Sequence, residues 1–422
     1  ALVPHPFVSK FGFTAASGTM IAYIATMTTL PALAKLLLET NQVNSSDRIS
    51  YKTTQWILLL CQTAVRSIES HPRKIASVAA LIMLFAASLH MHNGPRYRYQ
   101  ENLPEKNQAY HTIQKINDKL AGANTLHLLI RWPREHLLNS QTTLDLVKST
   151  HQILDETSEI NGITSLHSIE KWLMEGGVGS GELFQLLEEW NSPLSTRVMS
   201  TKHKSVLVSG YFTDMDASEL IPVLQKLEKQ LDRLRQNYPD VKMSLTGIVP
   251  VSAKSSLEMI GQLNKSLFIA IFIIIVLIGL AFGSSVAGLM SILPNLLPVT
   301  VGGAFLFLFG QGLQFTSVIA FTVGFGIAVD GTIHVLNRYY LEKRNGRSIV
   351  QALEETVKNT GPVLILSTII LASGMGATLL SELPMVRLYG QVCIIVLISA
   401  LLGDMLFLPA MVRLVEKWRN RL

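Results

Sequence analysis

Within one apolar stretch of the 422-residue chain stand three polar side chains at helical spacing: Asp330, His334 at i+4 and Asn337 at i+7. At about 3.6 residues per turn they share one stripe of a helix. An ionisable group inside a membrane span costs about 2.5 to 3.5 kcal/mol on insertion scales, so its default reading is functional. If the helix starts near Thr316, a rise of about 1.5 Å per residue sets Asp330 about 21 Å below that end, within the hydrocarbon layer. A carboxyl group held there can take a proton from one side and release it to the other. The plainer alternative is a permanent pair between Asp330 and His334, or another residue, that locks two helices together. Either way the stripe is expected to face another helix or a wet cavity rather than lipid. His334 is read as the second relay member or as an interface histidine, and Asn337 as a supporting polar group.

Other polar groups fall inside apolar stretches. Ser367 and Thr368 are placed to bond across to this stripe, or simply to their own backbone. Asp404 lies in the last apolar stretch and is read as supporting. Gly324, Gly326 and Gly331 flank Asp330 and permit close helix approach, and Pro294 and Pro298 are expected to kink their span. Cys61 and Cys393 imply no disulfide or metal framework. No nucleophile, metal cluster or phosphate loop stands at workable spacing, so the reading is not an enzyme, with no cofactor and the proton as coupling ion.

These residues need membrane-spanning elements to position them. The chain is 48% hydrophobic and only 16% charged, too apolar for an average soluble protein. The apolar residues gather in seven runs, near 11–34, 74–91, 266–283, 286–310, 316–337, 361–380 and 388–412, each of the length that crosses a bilayer. The net charge of +6 sits beside the spans and gives no nucleic-acid patch. Lys35, Arg48, Lys52, Arg66, Arg73 and Lys74 precede the second span; Lys343, Arg344, Arg347 and Lys358 follow the fifth; Arg413, Lys417, Arg419 and Arg421 end the chain. The positive-inside rule makes all three segments cytoplasmic. The large polar stretch between the second and third spans is then outside.

At a constant offset of 378, Pro6, Val8 and Gly12 fall on Pro384, Val386 and Gly390, and Met27, Leu30, Pro31 and Ala32 on Met405, Leu408, Pro409 and Ala410. The first span therefore reads as the last span of a preceding repeat, with an earlier copy expected upstream and twelve spans in the whole assembly; the alternative is a self-contained seven-span protein. The reading divides the chain into 1–37 (end of the preceding repeat), 38–73 (linker), 74–91 (one span), 92–263 (outer domain), 264–414 (five spans) and 415–422 (tail). Residues 53–70 suggest an amphipathic helix, either on the membrane surface with Trp56 at headgroup level or packed as a linker. Residues 347–359 suggest a surface helix. In the outer domain, strands at Leu126–Trp132, Ile163–Ser168, Val206–Phe212 and Val241–Thr246, with helices at Thr142–Ile160 and Ala217–Tyr238, give the β-α-β-β-α-β order of a ferredoxin-like fold. An insert from Ile169 to Lys204 carries a glycine-rich turn at Gly176 to Glu182, which lacks the ending of a phosphate loop.

Four strings resemble the resistance-nodulation-division (RND) superfamily, especially its MMPL-like and hopanoid or sterol exporter branch. SILPNLLPV (291–299) resembles the segment before the relay helix, and GIAVDGTIHVLNRY (326–339) the relay helix itself, with Asp330 at the protonatable aspartate. LYGQ...DMLFLPAMV (388–412) resembles the final span, and VSKFGFTAASGTM...LPAL the sixth. One departure is Gly331, where the family often has a second acid or a tyrosine. The resemblance implies an α-helical RND-type bundle, seven spans here of twelve, with one porter-like α+β periplasmic domain in a bacterial inner membrane. It implies proton-driven export or shuttling of hydrophobic, lipid-like cargo. The partners it implies are a missing N-terminal half, membrane lipids and a periplasmic protein. Two other functions stay open: a sterol-sensing-like lipid receptor without pumping, and an accessory to protein secretion.

Overall fold

The computed structural model describes residues 6–40, 48–98, 100–177 and 197–419; most of the insert and of its glycine-rich turn lies outside the described residues. The chain divides into two compact units, one of Ala1–Gly94, Met259–Ser381 and Met385–Leu422, the other of Pro95–Glu258 with Glu382–Pro384.

Among the described residues, seven helices are long and apolar enough to cross a membrane. They are α1 (Pro6–Thr40), α3 (Pro72–Met91), α8 (Ile248–Ala281), α9 (Ser285–Leu308), α10 (Phe315–Arg344), α11 (Ile349–Gly376) and a last composite helix. The composite runs through α12 (Pro384–Leu402), a π-helical turn (Gly403–Phe407) and α13 (Leu408–Arg419). α1 and the composite helix both begin at the prolines that the repeat aligns. Two-thirds of the most apolar window of α9, and of the last span, is buried, against none of α1, so α9 and the last span form the centre of the bundle.

Small residues set the packing, as expected where helix association relies on close contact rather than on hydrophobicity. The His90 ring of α3 fills the space that a side chain at Gly303 of α9 would need, and Asn93 Nδ2 donates to the Gly303 carbonyl at 2.6 Å. A helix α2 (Arg48–Ser70) packs Ile57 and Cys61 against Val357 and Ile365 of α11 and Met405 of the π turn. Trp56, Leu59 and Leu60 remain exposed on its other side. α2 is thus a packed linker on one face and carries an apolar, open face on the other.

The expected surface helix at 347–359 is instead the start of α11, which continues through Pro362 to Gly376. Ser348 starts it with a capping box to Gln351. Pro362 removes one backbone donor, but the adjacent Gly361 lies against the Cys61 thiol, so α2 supports the helix where the proline weakens it. Glu342, buried at the end of α10, is paired with Arg338 at 2.6 Å and Arg347 at 2.8 Å and so secures the turn into α11.

In the second unit, β1 (Asn124–Arg131), β2 (Asn161–Thr164), β4 (Ser205–Phe212) and β5 (Lys242–Thr246) lie in the order β2-β4-β1-β5, all antiparallel, with a short β3 (Met199–Ser200) beside β4. This is the ferredoxin-like arrangement. Alternate residues of β1, namely Leu126, Leu128 and Ile130, are buried, as a sheet with one covered face requires. After α4 (Gln108–Lys119), which precedes β1, the cover comes from α5 (Gln141–Asp155), capped by Ser140, and α7 (Ala217–Asn237), started by an Asp216–Glu219 capping box. The strand expected at Ile163–Ser168 stops at Thr164, because Ser165 and Ser168 form a capping box that begins α6 (Leu166–Glu175).

Leu128→Ala at the centre of this sheet is expected to lower the stability of the outer domain by about 3 kcal/mol. Hydrogen exchange should then accelerate across β1 and β4 while the amides of α9 keep their protection; equal acceleration in both would show that the two units do not open independently.

Candidate functional site

α10 is a helix with two unlike faces. Phe321, Gly324, Phe325, Ala328, Gly331, Thr332, Val335, Leu336 and Tyr339 are buried against the bundle, while Gly326, Asp330, His334 and Asn337 lie on the other side and are exposed. The spacing that places the three polar residues on one stripe is therefore realised as an open face. His334 Nε2 stands 3.5 Å from Asp330 Oδ1, with the side chains 63% and 74% exposed. At that exposure the pair is a loose contact rather than a buried lock. Among the described residues no other ion pair or hydrogen bond to the Asp330 side chain is present.

The covered face holds a second polar group. Thr332 Oγ1 donates to Asp404 Oδ1 at 2.6 Å and lies 3.2 Å from Asn295 Oδ1. Asn295 Nδ2 donates to the Ser291 carbonyl at 2.8 Å, and Ser291 Oγ to the Gly288 carbonyl at 2.7 Å. Asp404, Thr332, Asn295 and Ser291 are all buried. Three spans meet here, α9, α10 and the last.

Local sequence explains the meeting. Asp404 sits in the π turn, where Leu408 N–H reaches back to the Gly403 carbonyl; such wide turns recur at functional sites. Pro409 follows directly and has no N–H to close an ordinary turn. Gly403 lies against the backbone of Pro294, so a side chain there would crowd α9 and require it to shift slightly. Gly331 is the corresponding gap on α10, and the Asp404 carboxyl occupies the space that a side chain at 331 would fill. The glycine that follows Asp330 is thus what admits the carboxyl of another span.

The other expected residues are distributed as follows. Gly324 packs against Val396, while Gly326 has nothing within 4 Å of where a Cβ would stand and is not a packing glycine among the described residues. Pro294 and Pro298 both lie inside the continuous helix α9. Ser367 bonds to its own backbone at Leu364, 3.1 Å away, and does not reach the Asp330 stripe. A hydroxyl in an apolar helix satisfies itself most easily on the preceding turn. Thr332 and Asn295 were not singled out by sequence reading. Asn295, a lone amide between two prolines in an apolar span, was the available signal. Thr332 lies two residues from Asp330 and so on the opposite face, off the polar stripe.

Among the described residues, seven apolar helices with a ferredoxin-like domain between the second and third in the chain make this a multi-pass membrane protein of RND-type fold. Residues 101–421 match the model of the MMPL family, and the chain belongs to that family. It is 21% identical over 361 residues to the membrane protein MJ1562 of Methanocaldococcus jannaschii, covering 83% of this chain and 92% of that protein. It is 25% identical over 206 residues to the "Probable trehalose monomycolate exporter MmpL3" of Mycobacterium leprae, covering 44% of this chain and 21% of that protein. Its fold resembles the hedgehog release protein Disp from the water bear Hypsibius dujardini, with a TM-score of 0.57 at 13% identity, covering 90% of this chain and 52% of that one. The chain spans about half the length of Disp and about a fifth of the exporter.

Gly331→Ala is expected to push the Asp404 carboxyl away from Thr332 and to cost about 1 to 3 kcal/mol. In an Asp404→Ala background, where the space is free, most of that cost should disappear. Chemical denaturation of the four proteins in mixed micelles measures the cycle; strictly additive losses would show that the carboxyl and residue 331 do not compete for space.

Proposed function

We propose that the chain forms one half of a proton-coupled transporter that exports or shuttles hydrophobic, lipid-like molecules. The observation that carries this reading is the open stripe of Asp330, His334 and Asn337 in the middle of a span. Polar groups at that depth cannot be left to lipid. The stripe therefore calls for further spans, from additional polypeptide or from a second chain, which close over it and leave Asp330 in a narrow polar site. There the carboxyl binds and releases the proton, and His334, one turn away, accepts or relays it. Asp404, Thr332 and Asn295 hold the covered face of the same helix to α9 and the last span.

The lipid-like cargo is supported by family membership and by the exporter among the relatives, whose name specifies trehalose monomycolate. In this reading the protein lies in the cell's inner membrane with its C-terminus in the cytoplasm. That orientation follows from the lysines and arginines beside α2, α11 and α13. The ferredoxin-like domain then stands outside, where it would receive or deliver cargo as a porter domain.

Reconstituted into vesicles together with whatever supplies the other spans, the protein should move a fluorescent lipid analogue when a proton gradient is imposed. Asp330→Asn should reduce that movement to the level of empty vesicles without lowering the melting temperature, because its carboxyl makes few contacts within the chain. Undiminished gradient-driven movement in Asp330→Asn would remove the relay assignment; lipid binding with no response to the gradient in the unaltered protein would favour a receptor that does not pump.

A further inference from the structure

A cavity of about 550 Å³ lies where α2 ends, α3 begins and α13 passes. Its wall carries Arg73, Lys74, Arg413 and Lys417, with Glu69 as the acidic side chain among the described lining residues. Arg413 spends one donor on the Ile68 carbonyl at 2.8 Å, which ties α13 to the end of α2; its remaining N–H groups are still available. Among the described residues, no carboxylate pairs with Arg73, Lys74 or Lys417.

The start of α3 makes this excess of positive charge unusual. His71 at the N-cap provides no side-chain bond, Pro72 occupies the first turn, and no acidic residue stands there. The first-turn N–H groups and the helix dipole both favour an anion at this end. Arg73 and Lys74 are therefore at the end of the helix where cations are least favoured. Among the described lining residues Glu69 stands against four cations and pairs with none of Arg73, Lys74 and Lys417, so the arrangement fits an anion from outside the chain.

The same helix indicates what the anion is attached to. Lys74, Val78, Leu81, Ile82 and Phe85 are all exposed and follow one another at i, i+4, i+7, i+8 and i+11, which is one stripe. A cation thus heads an apolar track that runs into the depth of the membrane. Trp418, 65% exposed on the cavity wall, is the amphipathic kind of side chain that settles at headgroup level. A free phosphate would use the cations and leave the track idle, whereas a phospholipid uses both.

We propose that this cavity binds the phosphate-bearing headgroup of an anionic membrane lipid, with an acyl chain along the Val78–Phe85 face of α3. Basic pockets between spans are suited to such headgroups. The site is separate from the Asp330 stripe and does not depend on proton coupling.

The test is native mass spectrometry of the full chain in detergent, titrated with phosphatidylglycerol, phosphatidylcholine and inorganic phosphate. Phosphatidylglycerol should be retained at least about tenfold better than phosphatidylcholine, and the triple variant Arg73→Gln/Lys74→Gln/Lys417→Gln should lose that preference. The pair Lys343→Gln/Arg344→Gln, basic but outside the cavity, should keep it. Without lipid the triple variant should melt no lower than the unaltered chain, because the cations it removes are uncompensated. Equal retention of both lipids, equal loss in the control pair, or a lower melting temperature of the triple variant would overturn the proposal. Displacement of phosphatidylglycerol by inorganic phosphate would reassign the site to a free anion.

Discussion

A polar group inside a hydrocarbon layer has to be met by a partner within the protein, because no water is there to meet it. The two carboxyls inside the spans answer this constraint in opposite ways. Asp404 is enclosed and bonded to Thr332, so its needs are met by the chain itself. Among the described residues Asp330 has a loose neighbour in His334 and an open side. The first arrangement fixes three helices relative to one another; the second leaves a requirement that the described chain does not fulfil.

Much of this was legible in the sequence. Spans are long uninterrupted apolar runs, and their signal does not depend on tertiary contacts, which is why the seven apolar runs fall within the seven helices, apart from a few residues at their ends. The outer domain was legible because its strands and helices follow one another in the β-α-β-β-α-β order, and the structure completes that order with alternate burial along β1 and an Asp216–Glu219 capping box at the start of α7. The start of α11 reads as a separate surface helix because residues 347–359 are polar and the apolar run begins only near 361, beside Pro362. Whether a proline ends a helix depends on what packs beside it, and the Cys61 contact at Gly361 comes from a helix some 300 residues earlier in the chain.

The polar cluster was only partly legible for the same reason. Helical periodicity joins Asp330, His334 and Asn337 on one face and leaves Thr332 on the other. What brings Thr332 to Asp404 is a set of omissions: no side chain at Gly331, none at Gly403, and no N–H on Pro409. Each is weak evidence alone, since glycine and proline are common in membrane helices. Together they let three backbones approach closely enough for short polar side chains to meet.

Thr332 has one hydroxyl proton and two acceptors within reach, Asp404 at 2.6 Å and Asn295 at 3.2 Å. It can serve one fully, and the shorter distance shows which. The bond therefore runs from α10 to the π turn of the last span, while the Asn295 amide secures itself on the Ser291 carbonyl of its own helix. Residues 330 and 332 belong to the same turn of α10, with only Gly331 between them. Any displacement of α10 that accommodates a change at Asp330 has to carry the Thr332–Asp404 bond with it or break it. The covered face thereby limits how the open face can move: rotation of α10 would carry the gap at Gly331 away from the Asp404 carboxyl and bring a neighbouring side chain against it, whereas a shift along the helix axis would leave that gap aligned only over a fraction of a turn.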